Sequence, residues 1–152
     1  MTVRDLARDD GLDELTAHEC SALLAQHHLG RLGLTSASLP VILPTSFAME
    51  GDAPMFWTGE GLKLHAARNG HVACLEIDGH DDLEQSGWSV LVIGRLAEIV
   101  GARQRSRYEH VPIPRWRHIT DSHLIRLEPT LVSGRRLNGG GPTRAEARRD
   151  GW

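Results

Sequence analysis

The spacing of apolar residues predicts a helix near the start of the chain. A polar stretch without a regular period covers residues 1–14. Thr16 then stands three positions before Glu19, which is the sequence of a capping box at a helix N-terminus. Apolar residues recur at helical spacing after this cap, and the sequence predicts a helix over 17–29 that ends at Gly30.

Beyond this helix the period of the apolar residues changes from helical to alternating, which is typical of β-strands. The predicted strands cover residues 30–35, 40–49, 53–58, 71–78 and 88–100, and residues 123–129 and 131–137 supply one or two closing strands. Gly94 lies within the longest of them and predicts a bulge or a bend. Shorter helical segments are predicted over 62–70 and 101–110, and a polar loop over 79–87.

Many short strands with few helices indicate a mainly β protein. A small β-barrel buries the apolar faces of such strands and removes exposed sheet edges, so we expect this architecture. The strands and helices cover one domain over 15–137. We expect residues 1–14 to be a flexible arm, and the glycine-led, charged segment 138–152 to be a disordered tail.

Composition narrows the possible functions. The chain has 152 residues and a formal net charge of −3, whereas a general nucleic-acid-binding protein is basic. No apolar run approaches the ~18 residues of a membrane span, and the start of the chain lacks an apolar signal segment, so a cytoplasmic protein is expected. The two cysteines and nine histidines lack the spacing of metal ligands, and no metal site is predicted.

The most informative segment is WTGEGLK, which begins at Trp57 and lies between a predicted strand and a predicted helix. Thr58 offers a hydroxyl group, Gly59 and Gly61 allow a tight backbone bend, and Lys63 adds an ammonium group beside free helix amides. These donors suit a phosphate group, although neither the Walker A nor the GxGxxG pattern is present. The alternative is an ordinary strand-to-helix loop.

Other cations are secondary candidates for the same anion. Lys63 is the only lysine among the 17 lysine and arginine residues, which suggests a position that needs a compact ammonium group. Arg31 and Arg95 follow glycines on predicted strands, and Arg135 lies on the last one. Surface ion pairs are the alternative role for these arginines.

Taken in order, five motifs resemble one protein family. The motifs are GRLGL, LPVILPTSFAMEGDAPMFWTGEGLKL, HVACLEID, SGWSVLVIGRLAEIV and HLIRLEPTLVSGRRL. Their order and spacing over 15–137 resemble the pyridoxamine 5′-phosphate oxidase-like proteins, which are flavin-binding split β-barrels. The resemblance implies a homodimer with two FMN molecules in the clefts between its subunits. From charge and composition, neither nucleic acid nor a membrane is expected as a partner.

The resemblance also implies a set of cofactor-binding residues. Lys63 and Thr58 match positions that hold the FMN phosphate, and Trp88 and Ser89 match a position that reaches the flavin from the neighbouring subunit. The complete predicted cofactor site is Leu43, Pro44, Thr45, Ser46, Phe47, Trp57, Thr58, Gly61, Lys63, Trp88 and Ser89. Large aromatic residues on strands are equally often core or interface residues, and the two hydroxyl residues of the PTSF segment fit an outward-facing strand position as well.

One departure from the family pattern concerns the activity. Pyridoxamine phosphate oxidases end with an Arg-x-His element that grips the substrate phosphate, and this chain has SGRRLNGGG there. We therefore expect an FMN-dependent oxidoreductase that transfers hydride to or from another small organic substrate, with no catalytic residue assigned. The alternatives are a reductase that uses the deazaflavin F420, a non-catalytic flavin carrier or sensor, and a barrel without a cofactor.

Overall fold

A computed structural model describes residues 12–115 and 122–137, and these ranges consist mainly of antiparallel strands. The helices are α1 (Ala17–Gln26), α2 (Leu62–Arg68) and α3 (Ala102–Arg105), and a 3-10 turn (Ser106–Tyr108) follows α3. The strands are β1 (Asp13–Glu14), β2 (Leu29–Ser36), β3 (Leu39–Ser46), β4 (Ala48–Glu50), β5 (Ala53–Thr58), β6 (Val72–Asp81), β7 (Ser86–Ile99) and β8 (His123–Leu137).

All the strands belong to one antiparallel sheet with the order β3-β2-β6-β7-β8-β5-β4. Strand β8 pairs with β7 along one edge, while its other edge pairs first with β5 and then with β1. The sheet encloses the main apolar core as a split β-barrel, and α2 packs against β7 and β8. This architecture confirms the predicted mainly β, split-barrel fold.

Two apolar clusters lie on opposite faces of β5, because successive strand residues point to opposite sides. Phe56 belongs to the main core, which also contains Leu32, Leu75 and Leu127 from neighbouring strands. The smaller cluster lies on the other face of β5 and contains Ala48, Met55, Val111, Ile113 and Leu124. The two faces of β5 are therefore separate environments, and a residue's position on this strand decides which one it meets.

The N-terminus of α1 agrees with the sequence, whereas its end differs. The Thr16 hydroxyl accepts the Glu19 N–H at 3.2 Å and the Glu19 carboxylate accepts the Thr16 N–H at 2.8 Å, which completes the capping box. The helix ends at Gln26, earlier than predicted, and Gly30 lies within β2. A Cβ atom at Gly30 would lie 2.8 Å from the Glu76 carbonyl oxygen, so this glycine allows close strand packing and does not cap the helix.

The predicted bulge at Gly94 is confirmed. The register between β7 and β8 shifts beside this residue and leaves Thr130 opposite no residue of β7. A Cβ atom at Gly94 would lie 1.9 Å from the Glu128 carbonyl oxygen, which leaves no room for a side chain. Residues 123–129 and 131–137, predicted as one or two closing strands, form one continuous strand that bends at the bulge.

The strand predicted over 40–49 is divided in two. Strand β3 ends at Ser46 and β4 begins at Ala48, because Phe47 leaves the ladder and donates its N–H to the His28 carbonyl oxygen at 2.9 Å. Its ring is fully buried in the main core. The bend therefore directs a large side chain into the barrel and changes the strand direction at the same position.

Other predicted boundaries move by a few residues. The polar loop predicted over 79–87 is a short turn, since β6 extends to Asp81, whose carboxylate accepts the N–H groups of Leu83 and Glu84. The helix predicted over 62–70 ends at Arg68. The one predicted over 101–110 consists of α3 and the 3-10 turn.

Residues at both ends of the chain lie outside the ranges that the structure describes. Of the arm predicted over 1–14, residues 1–11 lie outside the described residues, and Asp13–Glu14 form β1 against β8. The tail predicted over 138–152 also lies outside them. Within the described ranges, no helix has the length and apolar character to cross a lipid bilayer.

Candidate functional site

Lys63 forms the centre of the candidate site. Its ammonium group donates to the Thr45 hydroxyl at 2.7 Å and to the Pro44 carbonyl oxygen at 3.1 Å, so it connects the first turn of α2 to the end of β3. The Phe56 ring lies beneath it, with its centroid 5.8 Å from Nζ. The structure thus brings together three of the predicted site residues, Lys63, Thr45 and Pro44, by direct contact.

The charge of Lys63 has no carboxylate partner among the described residues. In residues 12–115 and 122–137, no carboxylate lies within the 4.0 Å of Nζ that defines an ion pair, and both hydrogen-bond acceptors are neutral oxygens. Burial lowers the pKa of the Lys63 ammonium because the charged form is partly removed from water. A half-buried cation without an anionic partner is stabilised by an anion that enters from solvent.

At the end of β5, the Thr58 hydroxyl group lies on the same face of the strand as Phe56. Thr58 is buried and shares the face of Phe56, and its hydroxyl donates to the Gly59 carbonyl oxygen at 3.2 Å. Gly61 precedes α2 with φ of 140°, a conformation that L side chains rarely adopt. The predicted segment is therefore a tight connection that directs Lys63 back over β5.

Three further predicted residues, Leu43, Ser46 and Phe47, neighbour Pro44 and Thr45 along the chain. The Leu43 carbonyl oxygen accepts the Thr45 hydroxyl at 3.1 Å, which orients that hydroxyl toward Nζ. Ser46 is half-buried and pairs with Leu29, and Phe47 follows with its ring in the core. Of the PTSF segment, Pro44 and Thr45 contact Lys63 directly, while its last two residues end the strand beside them.

Trp57 lies apart from these residues. It belongs to the smaller apolar cluster, on the face of β5 opposite Phe56 and Thr58, and the Arg115 guanidinium lies 4.2 Å from its ring centroid. It borders an open cavity of about 420 Å³. The cavity is lined by Trp57, Arg105, Tyr108, Glu109, Val111, Pro112, Ile113 and Arg115.

Trp88 and Ser89 lie on β7 and take no part in the Lys63 contacts of the described chain. The Trp88 indole covers Gly79 and meets the His27 ring edge-on, with centroids 4.9 Å apart. Ser89 pairs with Asp78 on one side and with Arg135 on the other. Both residues are half-buried, on a strand whose other residues form the barrel wall.

Three alternative cations lie on strands. Arg31 forms ion pairs with Asp78 and, at 3.2 Å, with Glu76. Arg95 is exposed and donates to the neutral Gly70 carbonyl oxygen at 2.9 Å. Lys63 therefore differs from Arg31 in its unpaired charge among the described residues and from Arg95 in its burial. Arg135 on β8 remains an alternative.

An ionic network that the sequence did not reveal lies beside Thr58, which pairs with His123 in the sheet. His123 Nδ1 lies 2.7 Å from a Glu98 oxygen, and its Nε2 lies 3.3 Å from a Glu60 oxygen. Arg68 Nε donates to the other Glu98 oxygen at 2.8 Å. This hydrogen bond, assisted by that of His123, lowers the pKa of Glu98 against the opposing effect of burial.

Sequence reasoning missed this network because its members come from four separate segments: the β5–α2 connection, α2, β7 and β8. Register alone brings them together, and one sequence does not specify register between distant strands. The available signal was the period of two, which places Thr58 and Trp57 on opposite faces of β5. This period alone predicts that the two side chains lie in different surroundings.

Comparison with known proteins identifies the family. The sequence model of the family described as pyridoxamine 5′-phosphate oxidase matches residues 16–136. The chain is 30% identical to protein Rv0080 of Mycobacterium tuberculosis over 129 residues, which are 82% of this chain and 84% of that protein.

Solved structures show the same fold. The structure of the FAD binding protein from Mycobacterium smegmatis superposes with a TM-score of 0.70 at 30% identity, covering 83% of this chain and all of that one. An FAD-binding protein from Mesorhizobium loti superposes with a TM-score of 0.70 at 22% identity, covering 82% and 96% of the two chains. With its family model matched over most of its length, the chain belongs to the pyridoxamine 5′-phosphate oxidase family.

Proposed function

We propose that the protein binds FMN through Lys63 and acts as a flavin-dependent oxidoreductase on a small organic substrate. The observation that carries the proposal is the half-buried Lys63 ammonium group, whose protein partners are neutral oxygens. Support comes from the FAD binding protein of Mycobacterium smegmatis, which shares the fold at 30% identity. The family name itself does not extend to vitamin B6 oxidation, because the Arg-x-His element is missing.

The residues around Lys63 fit the phosphate end of a flavin. An ammonium group has three donors, of which two are used by Thr45 and Pro44, so one remains for a phosphate oxygen. The Thr58 hydroxyl lies on the same face of β5 and becomes a neutral donor to the phosphate if it rotates away from the Gly59 carbonyl oxygen. A bound flavin supplies the hydride-transfer chemistry, while the protein holds the phosphate, orients the ring and excludes water.

We further propose a homodimer with the cofactor between its subunits, and with Trp88 and Ser89 contributed by the second subunit. The outward-facing surface of the barrel supports a dimer, since the register aligns a row of apolar residues across five strands. This apolar row consists of Ile42, Gly33, Cys74, Ile93 and Leu131. Ile42 is 69% exposed in the single chain, and a second copy packed on the row would bury it.

FAD is a second candidate cofactor. The solved relatives from Mycobacterium smegmatis and Mesorhizobium loti are described as FAD-binding proteins. The pyrophosphate of FAD and the phosphate of FMN both carry the negative charge that Lys63 attracts. The two cofactors therefore share the same contact at Lys63 and differ in the space that the adenosine portion needs.

The test is the visible absorption spectrum of the purified protein, with mass spectrometry of the compound that a denaturant releases. Released FMN supports the proposal, whereas released FAD or F420 would identify that compound as the cofactor instead of FMN. If the bound flavin stays oxidised in the presence of NADPH and NADH, the protein is a flavin carrier or sensor and not a reductase. A colourless protein that also fails to bind added FMN and FAD would refute flavin binding.

The dimer is tested by light scattering at micromolar concentration. Ile42→Glu places a charge in the apolar row, so we expect a dimeric wild type and a monomeric variant. Leu83→Glu is the matched control, because Leu83 lies in the β6–β7 turn at 96% exposure and outside the row. A monomeric wild-type protein would contradict the shared cofactor cleft.

A further inference from the structure

His123 lies between two carboxylates that belong to different elements. Its Nδ1 faces Glu98 on β7 at 2.7 Å, and its Nε2 faces Glu60 of the β5–α2 connection at 3.3 Å. Arg68 at the end of α2 binds the other oxygen of Glu98 at 2.8 Å. Since Glu60 precedes α2 and Arg68 ends it, the network fastens both ends of the helix that carries Lys63.

The protonation state of His123 decides how many of these contacts form. The ring donates its Nδ1–H to the Glu98 carboxylate, whereas its contact with Glu60 is an ion pair at 3.3 Å that attracts only while a second proton gives the ring a positive charge. With two protons, the charges of His123 and Arg68 balance those of the two carboxylates. The charged and polar groups that face the ring are Glu60, Glu98, Arg68 and Thr58.

Loss of one proton from the ring affects the two contacts unequally. The Glu98 side chain is 9% exposed and bound to Arg68, whereas the Glu60 side chain is 71% exposed. The single remaining N–H therefore stays with Glu98, where the contact is shorter and the alternative is an unsatisfied buried nitrogen. The other nitrogen then presents a lone pair to Glu60, which turns to solvent.

We propose that His123 is a positioning residue that holds the 59–61 segment, and with it Lys63, in the anion-binding arrangement while its ring carries two protons. This inference rests on the function proposed for Lys63. It adds that a residue without contact to the anion tunes the affinity with pH. The released segment has backbone freedom because Gly59 and Gly61 flank Glu60.

The first test measures hydrogen–deuterium exchange of the peptide segment 57–66 without any flavin. At pH 5.5 we expect the wild-type segment to exchange about twofold to fivefold more slowly than in His123→Gln, the range of one partly exposed charged contact. At pH 8.5 the two proteins should exchange alike. Equal exchange of the two proteins at pH 5.5 would overturn the proposal.

Two further variants complete the test: one for the case in which His123→Gln does not fold, and one as a control. Glu60→Gln removes the exposed partner of the contact, so its segment should lose the pH-dependent protection while the buried His123–Glu98 contact remains. If His123→Gln does not fold, this variant decides the question. His110→Gln is the matched control, because His110 pairs with Glu50 at 3.1 Å outside the network and its loss should leave segment 57–66 unchanged.

A second measurement connects the contact to binding. The dissociation constant for FMN in His123→Gln should exceed that of the wild type about twofold to fivefold at pH 5.5 and equal it at pH 8.5. Titration of the FMN phosphate itself affects both proteins and cancels in the ratio. If FMN binds neither protein, the proposed function fails, while the exchange result still tests the role of His123. A ratio that does not change with pH would refute the coupling.

Discussion

Two cations of the same barrel, Arg31 on strand β2 and Lys63 on helix α2, differ in the groups that surround them. Arg31 lies on the outer face of β2 with two carboxylates as partners, Glu76 and Asp78. Lys63 is more deeply buried and has two neutral oxygens as partners, in Thr45 and Pro44. The difference shows that the position of acidic side chains, and not the number of basic residues, determines which cation is available to a ligand.

The two sites also differ in the charges near the cation. Burial raises the pKa of Glu76, and the neighbouring Asp78 adds to this effect while Arg31 opposes it. Arg31 therefore compensates a local excess of negative charge and has an internal role. Within residues 12–115 and 122–137, Lys63 forms no ion pair, and burial lowers its pKa.

Removal of the Lys63 charge is the strongest test of this contrast. A charged hydrogen bond contributes about 1.5–3 kcal/mol, so Lys63→Ala should weaken FMN binding about 10-fold to 100-fold. The quenching of flavin fluorescence during titration measures the affinity. The variant should fold normally, because Lys63 forms no ion pair within the described residues. Unchanged affinity would move the phosphate contact to another cation, with Arg95 and Arg135 as the candidates.

A smaller effect is expected from the group that orients Lys63. Thr45→Val keeps the shape of the side chain and removes the 2.7 Å acceptor of the ammonium group. The loss of one hydrogen bond of about 0.5–1.5 kcal/mol predicts a roughly twofold to tenfold weaker affinity for FMN. Thr35→Val on the exposed surface of β2 is the matched control and should bind as the wild type does. If both variants behave alike, orientation of Lys63 by Thr45 is unimportant.

The smallest effect on binding should come from Arg31. Arg31→Ala leaves the FMN affinity within about twofold of the wild type, since this cation is neutralised by the protein. It should lower the urea midpoint at pH 7, where Glu76 and Asp78 then repel each other. This destabilisation should shrink as the pH falls and the carboxylates become protonated. A large loss of FMN affinity in Arg31→Ala would invalidate the distinction between the two cations.

Local features of this protein were predictable from its sequence. The Thr16 cap depends on residues three positions apart, and the bulge at Gly94 depends on one residue whose backbone must approach Glu128 closely. The connection between β5 and α2 was equally visible, because glycines and a following helix mark it within a few residues. Each of these features is fixed by neighbours in the sequence.

Features that depend on register were not predictable. Nothing in the sequence indicated that His123 would lie opposite Thr58, or that Glu98 would reach the same point from β7. The sequence also left open whether residues 123–137 form one strand or two, because Pro129 lacks an N–H group for the ladder. In the structure this proline lies at the bulge, where the ladder is already interrupted.

The place of β8 in the sheet has a consequence for the order of synthesis. It is the last described strand, yet it pairs with β7, β5 and β1, which are all made before it. While the chain grows on a ribosome, the edges of β7 and β5 therefore lack their shared partner until residue 137 has emerged. A chain halted before residue 123 presents both edges to other chains, and premature termination there should lead to aggregation rather than to a smaller folded barrel.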